Sequence, residues 1–181
     1  MKKIMLKNFI AINFLIVATT LFSYESWSSQ FDNINDTVSN SEYEKAPDFT
    51  LLTLGGEEVK LTDYSDKIVI LDFWATWCGP CRKGIPDLIS IQKEYKDDLV
   101  VIGISLDQQS TQPYIKPFID HFGINYPIVL GTLDVVVAYG NIQAIPTSFI
   151  IDKEGNIVKK HVGLVPKETI VKEINSLLKQ E

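Results

Sequence analysis

The sequence predicts an α/β domain: a central mixed β-sheet flanked by helices, with an added N-terminal β-hairpin and a β-α insertion ahead of the last strands. Three observations predict it. Residues 67–75 (KIVILDFWA) and 99–106 (LVVIGISL) are nearly continuous apolar, β-branched and aromatic runs, as in strands buried on both faces of a mainly parallel sheet. Between them Ile85, Leu88, Ile89, Gln92 and Tyr95 keep a helical period, so the three pieces form a β-α-β unit with a right-handed crossover. Further on, TSFIIDKEGNIVKKHVG reads as strand, glycine-containing turn, strand, an antiparallel hairpin on the same sheet.

Taken in chain order, the elements are these. Lys2, Lys3 and Lys7 precede an apolar run, residues 9–22, that is short for a membrane span of about 20 residues. Residues 1–28 therefore read as a secretory signal peptide, with Ser26 and Ser28 as a small-x-small cleavage site, or as an uncleaved N-terminal anchor. Residues 29–45 are rich in Asn, Ser, Asp and Glu without an apolar period and read as a polar linker. From residue 46 onward a single domain is expected. PDFTLLTL and EEVKLTDY, joined at Gly55-Gly56, form a small hairpin. After the β-α-β unit, Tyr114, Ile115, Phe118, Ile119 and Phe122 predict a helix with a proline in its first turn. YPIVL and LDVVVAYG then read as a short strand and a helix. Pro166 opens a final amphipathic helix that turns Ile170, Val171, Ile174, Leu177 and Leu178 inward.

Composition excludes several functions. Removing residues 1–28 takes away three lysines and one glutamate, which moves the formal net charge from −6 to −8. Arg82 is the single arginine and no basic-aromatic cluster is present, so nucleic acid is not an expected partner.

An exported chain lives where disulfides persist, yet this one has two cysteines, Cys78 and Cys81, three positions apart. A bridge between them closes too small a loop to remove much unfolded-state entropy, which makes a purely structural role a poor use of the pair. A zinc site needs four ligands, and only His121 and His161 could join the cysteines; no metal is expected. What remains is a redox couple. On a strand-to-helix turn, Cys78 meets exposed backbone N–H groups and the positive end of the helix dipole, which stabilise a thiolate. Cys78 is thus the expected nucleophile and Cys81, one turn later and facing inward, the resolving thiol. Pro80 suits the first helical turn, and Gly79 keeps side-chain bulk off the reacting face. Asp72 is the only charge in KIVILDFWA after its first residue. In a buried strand its carboxyl would be raised toward neutrality and so become a usable proton donor and acceptor.

ILDFWATWCGPCRKGIP resembles the active-site region of thioredoxins. Together with APDFTL and AIPTSFIIDKEGNI, it makes residues 46–181 resemble the exported TlpA/ResA-type thioredoxin-like proteins. The resemblance implies a thioredoxin fold and assigns roles that spacing does not. Ile145-Pro146 matches a loop whose proline is cis and faces the cysteines, where the preceding backbone pairs with substrate. Trp74 and Trp77 match aromatics flanking the site, and Gly163 a glycine of the substrate groove; for Trp74 and Gly163 an ordinary core or turn role stands beside that one. Asp72 falls where thioredoxins place a buried aspartate behind the resolving cysteine. Trp77, Gly79, Pro80, Ile145, Pro146 and Gly163 are accordingly expected to meet substrate. One position departs from the pattern: Gly84 stands where such proteins often carry a glutamate, and Asp72 is the expected substitute in proton handling.

The expected function is extracytoplasmic thiol-disulfide exchange with protein substrates, in the reducing direction that Gly-Pro between the cysteines suggests. The chain would act as a monomer, without a cofactor beyond its own disulfide, and draw electrons from a membrane donor. Cytochrome c maturation is the client process that the resemblance implies. Two alternatives stand beside this one. A thiol peroxidase shares the APDFTL opening, but its P-x-x-x-T-x-x-C pattern is absent, because Thr76 is two residues before Cys78 and no proline precedes it. A copper carrier on the same fold resembles C-x-x-x-C with a distal histidine, which the two-residue gap here does not match.

Overall fold

In the computed structural model, which describes residues 43–179, the hairpin comes first. β1 (Thr50–Leu52) pairs antiparallel with β2 (Glu58–Lys60), placing Leu51 opposite Val59. These two point inward while their neighbours are exposed, the period of two that a sheet covered on one face requires. The turn between them passes through Gly56 at φ +83°, a conformation open to glycine without steric cost. The signal or anchor reading of residues 1–28, and the linker reading as far as residue 42, lie outside the described residues. At its near end the chain is already tied to the sheet, since the Ile157 N–H donates to Glu44 O at 2.8 Å. Among the described residues no helix is long and apolar enough to cross a membrane.

β3 (Ile68–Trp74) and β4 (Leu99–Ser105) are parallel and in continuous register, joined by α1 (Gly79–Glu94). Every residue of both strands is buried, as their unbroken apolar runs predict. α2 (Ile115–Phe122) stops at Gly123, whose left-handed φ of +66° ends the helix, and leads to β5 (Ile128–Leu130), parallel to β4. α3 (Leu133–Ala138) follows, capped by the Thr132 hydroxyl, which accepts from the Val135 N–H at 3.3 Å. β6 (Thr147–Ile151) runs antiparallel to β3, β7 (Ile157–Val162) antiparallel to β6, and α4 (Lys167–Leu177) closes the described chain. The strand order β5-β4-β3-β6-β7 gives the mixed five-stranded sheet that the sequence predicts.

Alternation along β3 decides how the sheet is covered. Ile68, Ile70 and Trp74 face one side and meet Ile85 and Leu88 of α1, Ile115 and Phe118 of α2, and Ile170 and Ile174 of α4. Val69, Leu71 and Phe73 face the other, where the hairpin and Val135 of α3 cover them. Tyr139 and Phe149 pack around Phe73 with ring centroids 5.1–5.9 Å apart, in edge or tilted geometry that contributes beyond the buried area. Asp72 shares the face of Ile70 and Trp74. A carboxyl therefore sits in the apolar layer between the central strand and α1.

Candidate active site

β3 ends at Trp74, and a short turn carries the chain into α1. Cys78 is the N-cap of that helix, with extended backbone (φ −80°, ψ 107°). Its Sγ accepts a hydrogen bond from the Cys81 N–H at 3.2 Å, one of the donors that a helix start leaves without a backbone partner. Pro80 lies in the first turn, where its missing N–H costs nothing. The two sulfurs are joined in a disulfide, with the Cα atoms 5.3 Å apart. Both cysteines are nearly covered, whereas Trp77 beside them is 60% exposed and Gly79 and Pro80 lie on the surface. The exposed surface next to the pair is thus the Trp77–Pro80 face. Arg82, the next residue, holds its guanidinium over Phe118 at 5.6 Å from the ring centroid.

Behind the pair, Asp72 is 5% exposed in the middle of β3, between Gly103 of β4 and Ser148 of β6. Its carboxyl has no hydrogen-bond or ion-pair partner among the described residues, and burial pushes its pKa up to about 7. Burial, and secondarily the nearby Asp72 charge, also push the Tyr126 hydroxyl up. A cavity of about 30 Å³ is lined by Asp72, Cys81, Gly84, Pro146, Ser148 and Gly163. That volume holds one water molecule, and its wall brings the inner cysteine and the carboxyl into one space. A larger cavity, about 680 Å³, lies elsewhere, against Tyr43, Asp152, Lys159 and Glu173, and contains neither sulfur; chemistry rather than size marks the site.

The Ile145–Pro146 peptide is cis, as the resemblance implies, and Pro146 is buried against the same cavity. The Gly163 N–H donates to Pro146 O at 2.8 Å, from a backbone φ of +92°. Sequence positions 72, 81, 146 and 163, spread over 92 residues, thus meet at one wall. Trp74 is 1% exposed and packed on Phe118 with centroids 5.0 Å apart, in the same buried cluster as Cys78 and Cys81. Gly84 lies on the same cavity wall. A Cβ built there would lie 2.9 Å from Leu164 Cδ1, so a longer side chain at 84 would require the half-exposed Leu164 side chain to shift.

One buried constellation escaped the sequence. Asp107, just past β4, is 6% exposed and accepts three hydrogen bonds. They come from the Thr76 N–H (2.8 Å), the Thr76 hydroxyl (2.6 Å) and the Ser105 hydroxyl (2.9 Å). A lone acidic residue after an apolar strand reads as a strand end turning to solvent, and nothing nearby in sequence signals a partner 31 positions away. The arrangement also bears on peroxidase chemistry, since the Thr76 hydroxyl is committed to Asp107 rather than to the sulfur of Cys78.

The AhpC/TSA family profile matches residues 43–160. The chain is 34% identical to thioredoxin-like protein YneN of Bacillus subtilis (strain 168) over 172 residues, covering 94% of this chain and 99% of the relative. It is 37% identical over 134 residues to thiol-disulfide oxidoreductase ResA of Geobacillus thermodenitrificans (strain NG80-2), covering 73% of this chain and 75% of that one. Among solved structures, a thiol:disulfide interchange protein of the thioredoxin family from Chlorobium tepidum TLS superposes with a TM-score of 0.67 at 30% identity, covering 77% of this chain and 99% of its own. The fold is thioredoxin-like, and the chain belongs to the AhpC/TSA family.

Proposed function

We propose that this chain is an extracytoplasmic thiol-disulfide oxidoreductase that reduces protein disulfides through Cys78 and Cys81, with Asp72 as the proton partner of Cys81. The observation that carries this reading is the shared cavity. Cys81 and a carboxyl raised to about 7 line one water-sized space, while the sulfur of Cys78 caps a helix beside the exposed Trp77, Gly79 and Pro80.

In the reduced protein the Cys78 thiolate attacks one sulfur of a client disulfide. A mixed disulfide forms, and the other client sulfur leaves as a thiolate that takes up a proton. Cys81 gives its proton to Asp72, and its thiolate attacks Cys78 Sγ; the Cys78–Cys81 bond forms as the second client sulfur departs and is protonated. The client gains two electrons from the couple and two protons, one returned by Asp72, which took it from Cys81, and one from solvent, since Cys78 reacts as a thiolate. A dithiol donor at the membrane restores the couple by the reverse exchange. A group with a pKa near the working pH can both take and return the proton, which is what the burial of Asp72 supplies. Trp77, Gly79 and Pro80 would meet the client on the open face, with the Ile145 backbone pairing along it beside Pro146 and Gly163. Cytochrome c thiols are the client class we favour, in view of the resemblance to TlpA/ResA-type proteins.

Reduction of insulin disulfides by the dithiol form tests the reading. Wild type is expected to precipitate the insulin B chain with dithiothreitol as donor and Cys78→Ser to do no better than dithiothreitol alone; equal rates for the two would overturn it. Consumption of hydrogen peroxide by wild type at a rate above that of its insulin reduction would favour the peroxidase reading instead.

A further inference from the structure

Between Thr76 and the nucleophile there is one residue, Trp77, and it is 60% exposed, so it does little to hold the turn in place. The turn's own backbone supplies one bond here, Cys78 N–H to Ala75 O at 3.1 Å. After Cys78 the chain is held by α1. Before it, the fixed point is Thr76, whose N–H and hydroxyl both donate to Asp107 at 2.8 and 2.6 Å. Asp107 is itself fixed: the Ser105 hydroxyl donates to it at 2.9 Å, and its own N–H donates back to Ser105 Oγ at 3.2 Å. The Leu106 N–H donates to Trp74 O at 2.8 Å, extending the β3–β4 pairing up to the turn. A buried carboxylate with three donors is costly to unpair, which makes this a stiff connection rather than an incidental one.

We propose that Asp107 is a positioning residue for the thiol chemistry: acting through Thr76, it anchors the turn so that Cys78 Sγ stays at the start of α1, within reach of the Cys81 N–H. The stabilisation of a thiolate there falls off within the first helical turn, so a turn released on its N-terminal side loses part of it. The inference rests on the reading of Cys78 as nucleophile and adds to it a residue 29 positions away in sequence.

The test uses the full chain with Cys81→Ser, so that Cys78 is the one thiol, and follows the rate of iodoacetamide alkylation against pH. Thr76→Val keeps the side chain's shape and removes one donor, Ser105→Ala removes another, and Thr76→Ser restores the hydroxyl. The ionisable groups on the elements packed around Cys78 are Asp72 on β3, Asp107 after β4, Arg82, Lys83, Asp87, Lys93 and Glu94 on α1, Lys116, Asp120 and His121 on α2, and Tyr126; all of these substitutions leave them in place. Thr76→Val and Ser105→Ala are expected to move the alkylation midpoint upward by about half a pH unit or more, with Thr76→Ser staying at the parent value. Midpoints for Thr76→Val and Ser105→Ala within about 0.2 of the parent would overturn the proposal. So would an equal upward shift in Thr76→Ser. Should Thr76→Val fail to fold, Ser105→Ala alone decides by the same criteria. Alkylation involves no client, so a failed insulin assay in wild type would count against the proposed activity and leave this result readable on its own.

Discussion

Asp72 is a carboxyl placed where burial opposes its ionisation, and among the described residues it has no hydrogen-bond or ion-pair partner. The small cavity beside it has room for one water molecule, and Cys81, Ser148 and Asp87 share its wall. Asp72→Asn retains the shape and removes the proton acceptor. We expect it to slow insulin reduction at pH 7 by about 10²-fold, the lower end of the range for a positioned acid-base group, while single-turnover formation of the Cys78 mixed disulfide stays near the wild-type rate. Much of this was legible in the letters: one charge inside an otherwise apolar nine-residue run is an anomaly that needs no alignment to be seen. Asp107 was not legible, because its burial depends on Thr76 and Ser105 folding around it, and a carboxylate following an apolar strand looks the same whether it turns outward or inward.

Among the elements, the strand-turn-helix unit around the cysteines was readable because its parts are local: an apolar run, a proline suited to the first helical turn, then a 3.6-residue period. The segment from β7 to α4 was not, since its role is set by what it packs against. There Leu164 lies over Gly84, and Gly163 turns at φ +92° to donate its N–H to Pro146 O. A side chain at 163 would have to sit on a backbone conformation that L-residues rarely adopt. Gly163→Ala is therefore expected to cost about 1 to 3 kcal/mol, read as a lower urea midpoint at unchanged slope, and to raise KM for insulin more than it lowers kcat. A substitution without effect on either would mean that this loop neither shapes the groove nor depends on its glycine.

For the whole molecule, the sheet's two covered faces were foreseeable from the nearly continuous apolar runs of β3 and β4, whereas which helices cover which face follows from long-range packing that periodicity does not encode. The same buried face gives the protein a pH dependence. Asp72 titrates at about 7 in the fold against an ordinary 3.8, so between those values the native state keeps a proton that the unfolded chain has released. The contribution of this group to stability is thus full below about pH 4 and is lost as pH rises through 7, on the order of 4 kcal/mol in all. Between pH 5 and 8 the unfolding free energy is expected to fall by about 2 to 3 kcal/mol in wild type, with Asp72→Asn removing most of that slope. Denaturant titrations with parallel pH profiles for the two proteins would place the burial of Asp72 in error. The central claim, that Cys78 and Cys81 act in succession on a client disulfide, is most directly tested by intact-mass measurement of Cys81→Ser mixed with oxidised insulin. A covalent adduct through Cys78 that accumulates in this variant, is released by dithiothreitol and does not accumulate in wild type is the predicted result; no adduct in Cys81→Ser, or an equal amount in wild type, would contradict it.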